Sequence, residues 1–222
     1  MPSFFATANR RLSSLIRFRK TYQVLQKERI VSPDTGKEAL RKLYCARRKS
    51  LAAEELALYS RHVCGVIREL EVYRKAECVA GFSALGAEPD LSSLFSEKRF
   101  FLPRYNAAAK AYEMVEIRDF GRDMVMGRYN IMEPHPELEA ADIAWCNENL
   151  FYLVPAVACD LTGVRLGRGG GYYDRLLADC RTPKAGVIFS CQLSADPLVC
   201  CGHDVKLDMI VTENGCFECK SV

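Results

Sequence analysis

Residues 150–175 read LFYLVPAVACDLTGVRLGRGGGYYDR, and the reading of this stretch decides the fold. Leu150–Val154 is an unbroken apolar run of strand length, as expected of a strand buried on both faces. A polar, glycine-rich turn follows from Arg165 to Gly171, and a helix is predicted from about Tyr172 to Asp179. In parallel α/β sheets, ligands bind beyond the carboxyl ends of the strands. Glycines let backbone N–H groups approach an anion with no Cβ in the way. A helix N-terminus adds fixed dipoles, and Arg165 and Arg168 add mobile positive charge. Together these suit a di- or triphosphate. No Gly-Lys-Ser/Thr follows, so this is not a Walker A loop, and its spacing and late position exclude a dinucleotide fingerprint. A plain glycine turn is the bland alternative. A single RGG-like element of an RNA-binding tail is a poorer one, because such elements come as repeats in disordered sequence.

Working outward, Ala185–Phe189 and Leu207–Val211 read as two further short strands. Upstream, Lys37 to about Lys49 carries Leu40, Leu43 and Tyr44 at helical spacing. Ser50 is a candidate N-cap for a second helix, with Glu54 and Glu55 at its positive end and Leu56, Val63, Ile67 and Leu70 as its buried stripe. Cys78–Phe82 reads as a short buried strand. Glu88-Pro89-Asp90 resembles a helix start, and Phe100–Leu102 and Tyr112–Ile117 read as strands. A long loop is expected from about Gly121 to Asn147, and such loops are usually functional or disordered. Strands alternating with helices argue for an α/β domain with a largely parallel sheet. Ser32-Pro33-Asp34-Thr35-Gly36 breaks the chain. It divides a basic N-terminal extension, residues 1–35, from the α/β domain of residues 36–222.

The charge distribution narrows the function classes. Residues 1–49 hold 13 Lys and Arg against 3 Asp and Glu, whereas the other 173 hold 18 against 25. The main body is acidic, while a nucleic-acid-binding fold carries its positive stripe on the fold itself. No nucleic-acid partner is expected. The longest apolar candidate, Leu150–Cys159, is too short to cross a bilayer and is interrupted by Pro155, so no membrane span is expected either. Eleven cysteines at irregular spacings suit reduced thiols in an intracellular compartment better than a disulfide scaffold. Cys216 and Cys219 form one CxxC near Cys200, Cys201 and His203. A second well-spaced ligand pair for zinc is missing. For the arginine-rich, acid-poor start three readings stay open: a transit peptide, a helical extension, or an early start codon.

Several polar residues have both a chemical and a structural reading. Asp174 sits in the first turn of the predicted helix, where it caps the helix or faces a phosphate-bound Mg²⁺. Asp204 is the better second carboxylate, since Asp208 reads as a strand residue pointing to solvent. Lys37 and Arg41 share a helix face and suit a polyphosphate, although a solvated basic face is the commoner meaning. Glu88 follows the first strand at a carboxyl-end position, or is a helix cap.

The run Leu166-Gly167-Arg168-Gly169-Gly170-Gly171-Tyr172-Tyr173-Asp174-Arg175 resembles the signature of the 5-formyltetrahydrofolate cyclo-ligases, also called methenyltetrahydrofolate synthetases. Weaker matches occur in order along the chain, at Lys37, Leu40-Arg41, Glu88, Leu102-Pro103-Arg104-Tyr105, Glu133-Pro134, Leu153-Val154-Pro155, Cys159-Asp160 to Gly163, Gln192, and His203-Asp204 with Asp208. The similarity runs from about Lys37 to Thr212. It implies a single three-layer α/β/α domain that uses ATP and Mg²⁺ to close 5-formyltetrahydrofolate into the 5,10-methenyl form. The resemblance would have Lys37, Arg41, Arg165, Leu166, Gly167, Arg168, Gly169, Gly170, Gly171, Tyr172 and Tyr173 bind ATP, with Lys37 and Arg168 as the catalytic cations. Glu88, Tyr129, Tyr172 and Tyr173 would line the folate pocket, and Asp174 and Asp204 would serve the metal. Cys159 stands where the family usually has Phe, a change of packing rather than chemistry, and Gly170 is basic in some relatives. The extension has no counterpart. A cytoplasmic enzyme is implied, or a mitochondrial or other organellar one if residues 1–35 are a transit peptide. The competing enzyme reading is an ATP-independent sugar-phosphate isomerase or CoA transferase on a similar scaffold. The competing binding reading is a catalytically silent RNA- or nucleotide-binding protein.

Overall fold

The computed structural model describes residues 36–127 and 131–219. The sequence's basic extension and Tyr129 lie outside the described residues. Three helices come first: α1 (Lys37–Lys49), α2 (Ala53–Glu69) and α3 (Glu71–Lys75). Then follow β1 (Cys78–Ala80), β2 (Arg99–Asn106), β3 (Ala111–Ile117), α4 (Phe120–Asp123), β4 (Met124–Met126), β5 (Met132–Pro134) and α5 (Ile143–Asn149). The second half holds β6 (Leu150–Pro155), β7 (Ala158–Asp160), β8 (Arg165–Leu166), α6 (Tyr172–Leu176), β9 (Lys184–Val187), β10 (Leu193–Ser194), β11 (Met209–Thr212) and β12 (Gly215–Glu218).

The main sheet has the order β12-β11-β9-β6-β1-β2-β3. The five central strands are parallel, and β3 and β12 are antiparallel edge strands. Both faces are covered, which is why β6 is apolar throughout. Phe151 and Leu153 point to one face, where Val79, Phe100 and Val187 meet Val63, Cys64 and Ile67 of α2. Leu150, Tyr152 and Val154 point to the other, where Ala80, Phe101 and Ile210 meet Cys146 of α5 and Leu176 of α6.

The chain enters this sheet in its middle. It runs from β1 outward through β2 to β3, then returns to the other side of β1 and runs outward through β6, β9 and β11. The order therefore reverses between β1 and β6. A crevice opens at such a switch point, beyond the carboxyl ends of the two diverging strands.

A second sheet, β10-β7-β8, is absent from the sequence reading. It is built from strands of two or three residues, below the length at which periodicity registers. Buried side-chain hydrogen bonds, local and long-range, hold it. Asp160 Oδ1 accepts from the Thr162 and Val164 N–H groups and the Thr162 hydroxyl, and Asp160 Oδ2 accepts from the Leu198 N–H. The wholly buried Gln192 donates to the carbonyls of Ala156 and Val157, at 3.0 and 2.9 Å, and accepts from the Phe189 N–H. Helix α1 packs on this small sheet through Leu40 and Tyr44 against Val157, Ala158, Val164, Leu166 and Leu198.

Several local expectations are corrected. Ser50 ends α1, its hydroxyl donating to the Arg47 carbonyl. The N-cap of α2 is Ala52, whose N–H is taken by Glu55. No helix starts at Pro89. The chain makes only a 3₁₀ turn at Ser92–Leu94, because Glu88 is turned inward. The segment 121–147 is not one loop but carries α4, β4, β5 and the start of α5. Helix α6 stops at Leu176. Asp208 is exposed as expected, but it stands one residue before β11 and its carboxylate also accepts from the Lys184 N–H. Among the described residues, no helix is long and apolar enough to cross a membrane.

Gln192→Met keeps the volume but leaves two buried carbonyls without donors. We expect a loss of about 2–3 kcal/mol in stability, measured by urea denaturation; a loss under about 0.5 kcal/mol would show that the loop after β6 does not depend on Gln192.

Candidate active site

The switch-point crevice is a cleft of about 390 Å³, within the usual size of a small-molecule site. Phe82, Ser83 and Glu88 reach it from the end of β1, Pro103 from β2, and Pro155 to Val157 from the end of β6. The glycine segment 167–171 forms one wall. Every site residue expected from the sequence, Tyr129 excepted, borders this one cleft.

The route by which each arrives is physical. The short β8 brings Arg165 and Leu166 in antiparallel against β7 and launches the glycine segment into the cleft. Because α1 lies on the same small sheet, Lys37 and Arg41 face that segment from the opposite side. Arg41 Nε donates to the Gly167 carbonyl at 2.9 Å. Gly169 and Gly171 have φ of 102° and 62°, backbone that other residues adopt only with strain. A Cβ at Gly167 would stand 2.7 Å from Arg165 Nη1, and one at Gly170 would strike the Tyr172 ring. The glycines thus let guanidinium groups and an aromatic ring lie directly on the backbone.

The source of positive potential differs from the sequence expectation. Helix α6 has only five residues, so its dipole is a minor contributor. The field comes from Lys37, Arg41, Arg165 and Arg168. Three of these cations are held by carboxylates: Lys37 Nζ lies 2.7 Å from Asp204 Oδ2, Arg165 Nη2 lies 2.9 Å from Asp174 Oδ1, and Arg168 Nη2 lies 2.6 Å from Glu88 Oε1. The hydrogen bond to Asp204 raises the pKa of Lys37 against the opposing effect of burial. Burial pushes the Asp204 carboxyl up, but Lys37 and the Cys201 N–H outweigh it and hold the carboxyl below its ordinary range. The pair is therefore charged at neutral pH.

Asp174 and Asp204 both border the cleft. Asp174 Oδ1 faces the Val205 N–H at 3.4 Å, one residue beyond Asp204. Among the described residues no third acid, cysteine or histidine completes a cage around them. Such a donor set fits Mg²⁺, which takes one or two carboxylates and fills its shell with phosphate oxygens and water.

Tyr112, Tyr172 and Tyr173 line the other side of the cleft, and Tyr105 packs against the first two. Tyr105, Tyr112 and Tyr172 meet edge to face or tilted, with ring centroids 5.2–6.1 Å apart, and Tyr112 also meets Tyr173 at 5.9 Å. The Tyr173 hydroxyl is buried without a hydrogen-bond partner, and burial pushes its pKa well above the ordinary phenol value.

Sequence reasoning missed Tyr112, Ile131 and Met132 in the lining, and it missed Arg48. Arg48 is buried at 4% exposure, its Nη1 3.7 Å from Glu88 Oε1. Its signal was available: Lys37, Arg41, Tyr44 and Arg48 recur at spacings of four, three and four, which is one helix face. Tyr44 and Leu40 on that side are buried.

Residues 33–213 match the model of the 5-formyltetrahydrofolate cyclo-ligase family. The 5-formyltetrahydrofolate cyclo-ligase of Escherichia coli K12 is 30% identical over 151 residues, covering 64% of this chain and 81% of that one. The mouse protein of the same name is 23% identical over 197 residues, covering 83% and 97%. Among solved structures, the 5,10-methenyltetrahydrofolate synthetase of Aquifex aeolicus superposes with a TM-score of 0.72 at 31% identity, covering 83% of this chain and 93% of that one.

Glu88→Ala would leave the Arg48 guanidinium buried beside no carboxylate. We expect about 3 kcal/mol of destabilisation by chemical denaturation, and a change under about 1 kcal/mol would mean that the pair behaves as a surface contact.

Proposed function

The chain belongs to the 5-formyltetrahydrofolate cyclo-ligase family and is an enzyme of that class, and from this premise we propose that it couples ring closure of 5-formyltetrahydrofolate to cleavage of ATP to ADP and phosphate. The single observation that carries the proposal is the set of four cations around a glycine wall, facing a tyrosine-lined recess in the same cleft. One half of the cleft has the chemistry of a triphosphate site, and the other has that of a flat aromatic ring.

The reaction explains why both are needed together. A formamide carbonyl is a poor electrophile, and its oxygen is a poor leaving group. Transfer of the γ-phosphoryl group to the formyl oxygen forms the new P–O bond as the bond to ADP breaks. The product is an iminium phosphate. The N10 amine, held close by the folate itself, then attacks the activated carbon and loses its proton, and phosphate departs to leave the 5,10-methenyl product. Proximity within one molecule makes that closure fast.

The protein's share is positioning and neutralisation of charge. Lys37 and Arg168 face the transferring group as the catalytic cations. Arg41, Arg165 and the backbone from Leu166 to Tyr173 hold the remaining phosphates. Asp174 and Asp204 would hold Mg²⁺, which would supply charge neutralisation for the phosphates. Glu88, Tyr172 and Tyr173 line the folate side. The cleft is supported in this reading by its mixed lining, with Phe82, Ile131 and Met132 beside the charged groups. We further propose that residues 36–222 are the catalytic domain, that residues 1–35 are an appendage, and that the enzyme works in the cytoplasm on small molecules alone.

Given 5-formyltetrahydrofolate and MgATP, the purified chain is expected to form the methenyl product, followed by its near-UV absorbance. Product formed equally well without ATP would overturn the proposal. Asp174→Asn should lower turnover by at least about 100-fold with the fold intact by circular dichroism; near-wild-type turnover would remove Asp174 from the metal site. Deleting residues 1–35 should leave kcat within about threefold of the full chain, and a larger loss would make the extension part of the catalytic unit.

A further inference from the structure

Two guanidinium groups of unlike freedom meet one carboxylate. Glu88 Oε1 accepts from Arg168 Nη2 at 2.6 Å and Nε at 3.2 Å, while Glu88 Oε2 accepts from the Leu85 N–H at 3.0 Å. Arg48 Nη1 stands behind, 3.7 Å from Oε1. The Arg168 side chain is 49% exposed, whereas those of Arg48 and Glu88 are 5% and 6% exposed. Arg168 is free to turn, and Arg48 is not.

Arg48 also has capacity to spare. Its Nε and Nη1 are buried without a hydrogen-bond partner, an arrangement that folded proteins rarely tolerate without a reason. Burial lowers the Arg48 pKa, and the Glu88 charge opposes that effect. A guanidinium nevertheless stays protonated in proteins. The Arg48–Glu88 gap needs to close by only roughly 0.8 Å to become an ordinary charge-assisted hydrogen bond.

This arrangement matters because the Glu88–Arg168 pair joins the two halves of the cleft. In the reading given under Proposed function, on which this inference rests, Arg168 serves the nucleotide and Glu88 serves the folate. When Arg168 turns to the phosphates, Glu88 loses the cation that hydrogen-bonds it. A buried carboxylate left so would lack a charge-assisted partner on that oxygen, which is costly. We infer that Arg48 is a positioning residue that takes over Glu88 when Arg168 leaves it, keeping the carboxylate aimed at the folate while the nucleotide is bound. Two cations alternate on one carboxylate, so that filling the nucleotide side leaves the folate side in order.

A residue that merely filled space at this position would support both ligand states alike. The test is the Kd of 5-formyltetrahydrofolate for the full chain, by titration calorimetry, with and without a nonhydrolysable ATP analogue and Mg²⁺. For Arg48→Met, folate binding should weaken less than about threefold without the analogue and at least about tenfold with it. Equal weakening in the two conditions, or none, overturns the inference. Should the Met variant not fold, Arg48→Lys decides. A point charge in place of the planar fork should weaken folate binding about threefold with the analogue only, and the same effect without it is again a refutation. A wild-type chain that binds neither folate nor the analogue removes the underlying reading instead, which separates the two failures.

Discussion

Four cations converge on a wall of glycine backbone, and the mutual repulsion of these charges is the constraint around which the cleft is arranged. Each is answered within the chain: Lys37 by Asp204, Arg165 by Asp174, Arg168 by Glu88 and Arg41 by the Gly167 carbonyl. In a partly buried site desolvation offsets much of each pair's attraction, but losing one partner leaves the other charge uncompensated and is costly. The internal acids and carbonyl thus do in the free protein what phosphate oxygens would do in the complex. In the proposed reaction the cations would need little reorganisation to exchange one set of acceptors for another, which is the preorganisation that phosphoryl transfer calls for.

That constraint explains the otherwise minor second sheet. Strands of two or three residues contribute little stability by themselves. Here they are fixed by the Asp160 and Gln192 side chains, both almost wholly buried. Their task is placement. The small sheet carries Arg165 on one strand and receives α1, with Lys37 and Arg41, on its face. Residues more than a hundred positions apart in the chain are thereby brought to one wall. Gly163, with φ of 85°, turns tightly between β7 and β8, and a Cβ there would strike the Leu207 carbonyl.

What the sequence made legible follows from the range of the forces involved. Helix α1 appears with the expected bounds, because its periodicity and its basic last turn are local. The apolar run of β6 appears within one residue, because a central parallel strand is apolar throughout. The glycine wall was readable since its composition has few other uses. The three-stranded sheet and the inward turn of Glu88 were not readable. They depend on hydrogen bonds from Gln192 to Val157 and from Arg168 to Glu88, which cross 35 and 80 residues and leave no periodic trace. Ser50 illustrates the same limit at short range. A serine between two helices can serve either, and here its hydroxyl donates back to the Arg47 carbonyl of the helix it ends.

Arg48 shows where a local signal and its meaning part company. Its spacing from Arg41 put it on the cleft-facing side of α1, yet basic residues in a last helical turn usually mean solvent and a favourable dipole. Arg47 and Lys49, its neighbours, fit that meaning, with Lys49 exposed and Arg47 over the Tyr44 ring. Only the sheet's switch point distinguishes the three. Glu88 follows β1 at the place where strand order reverses, so whatever faces Glu88 from α1 is drawn inward. A carboxylate at that position sits between the two halves of the sheet, with Arg168 coming from the β6 half and Arg48 from α1. The topology thus sets one negative charge between an exposed cation and a buried one. In the proposed function, where a polyanion and a neutral ring lie side by side, that asymmetry would release one cation to the anion while the other stays to hold the acid in place.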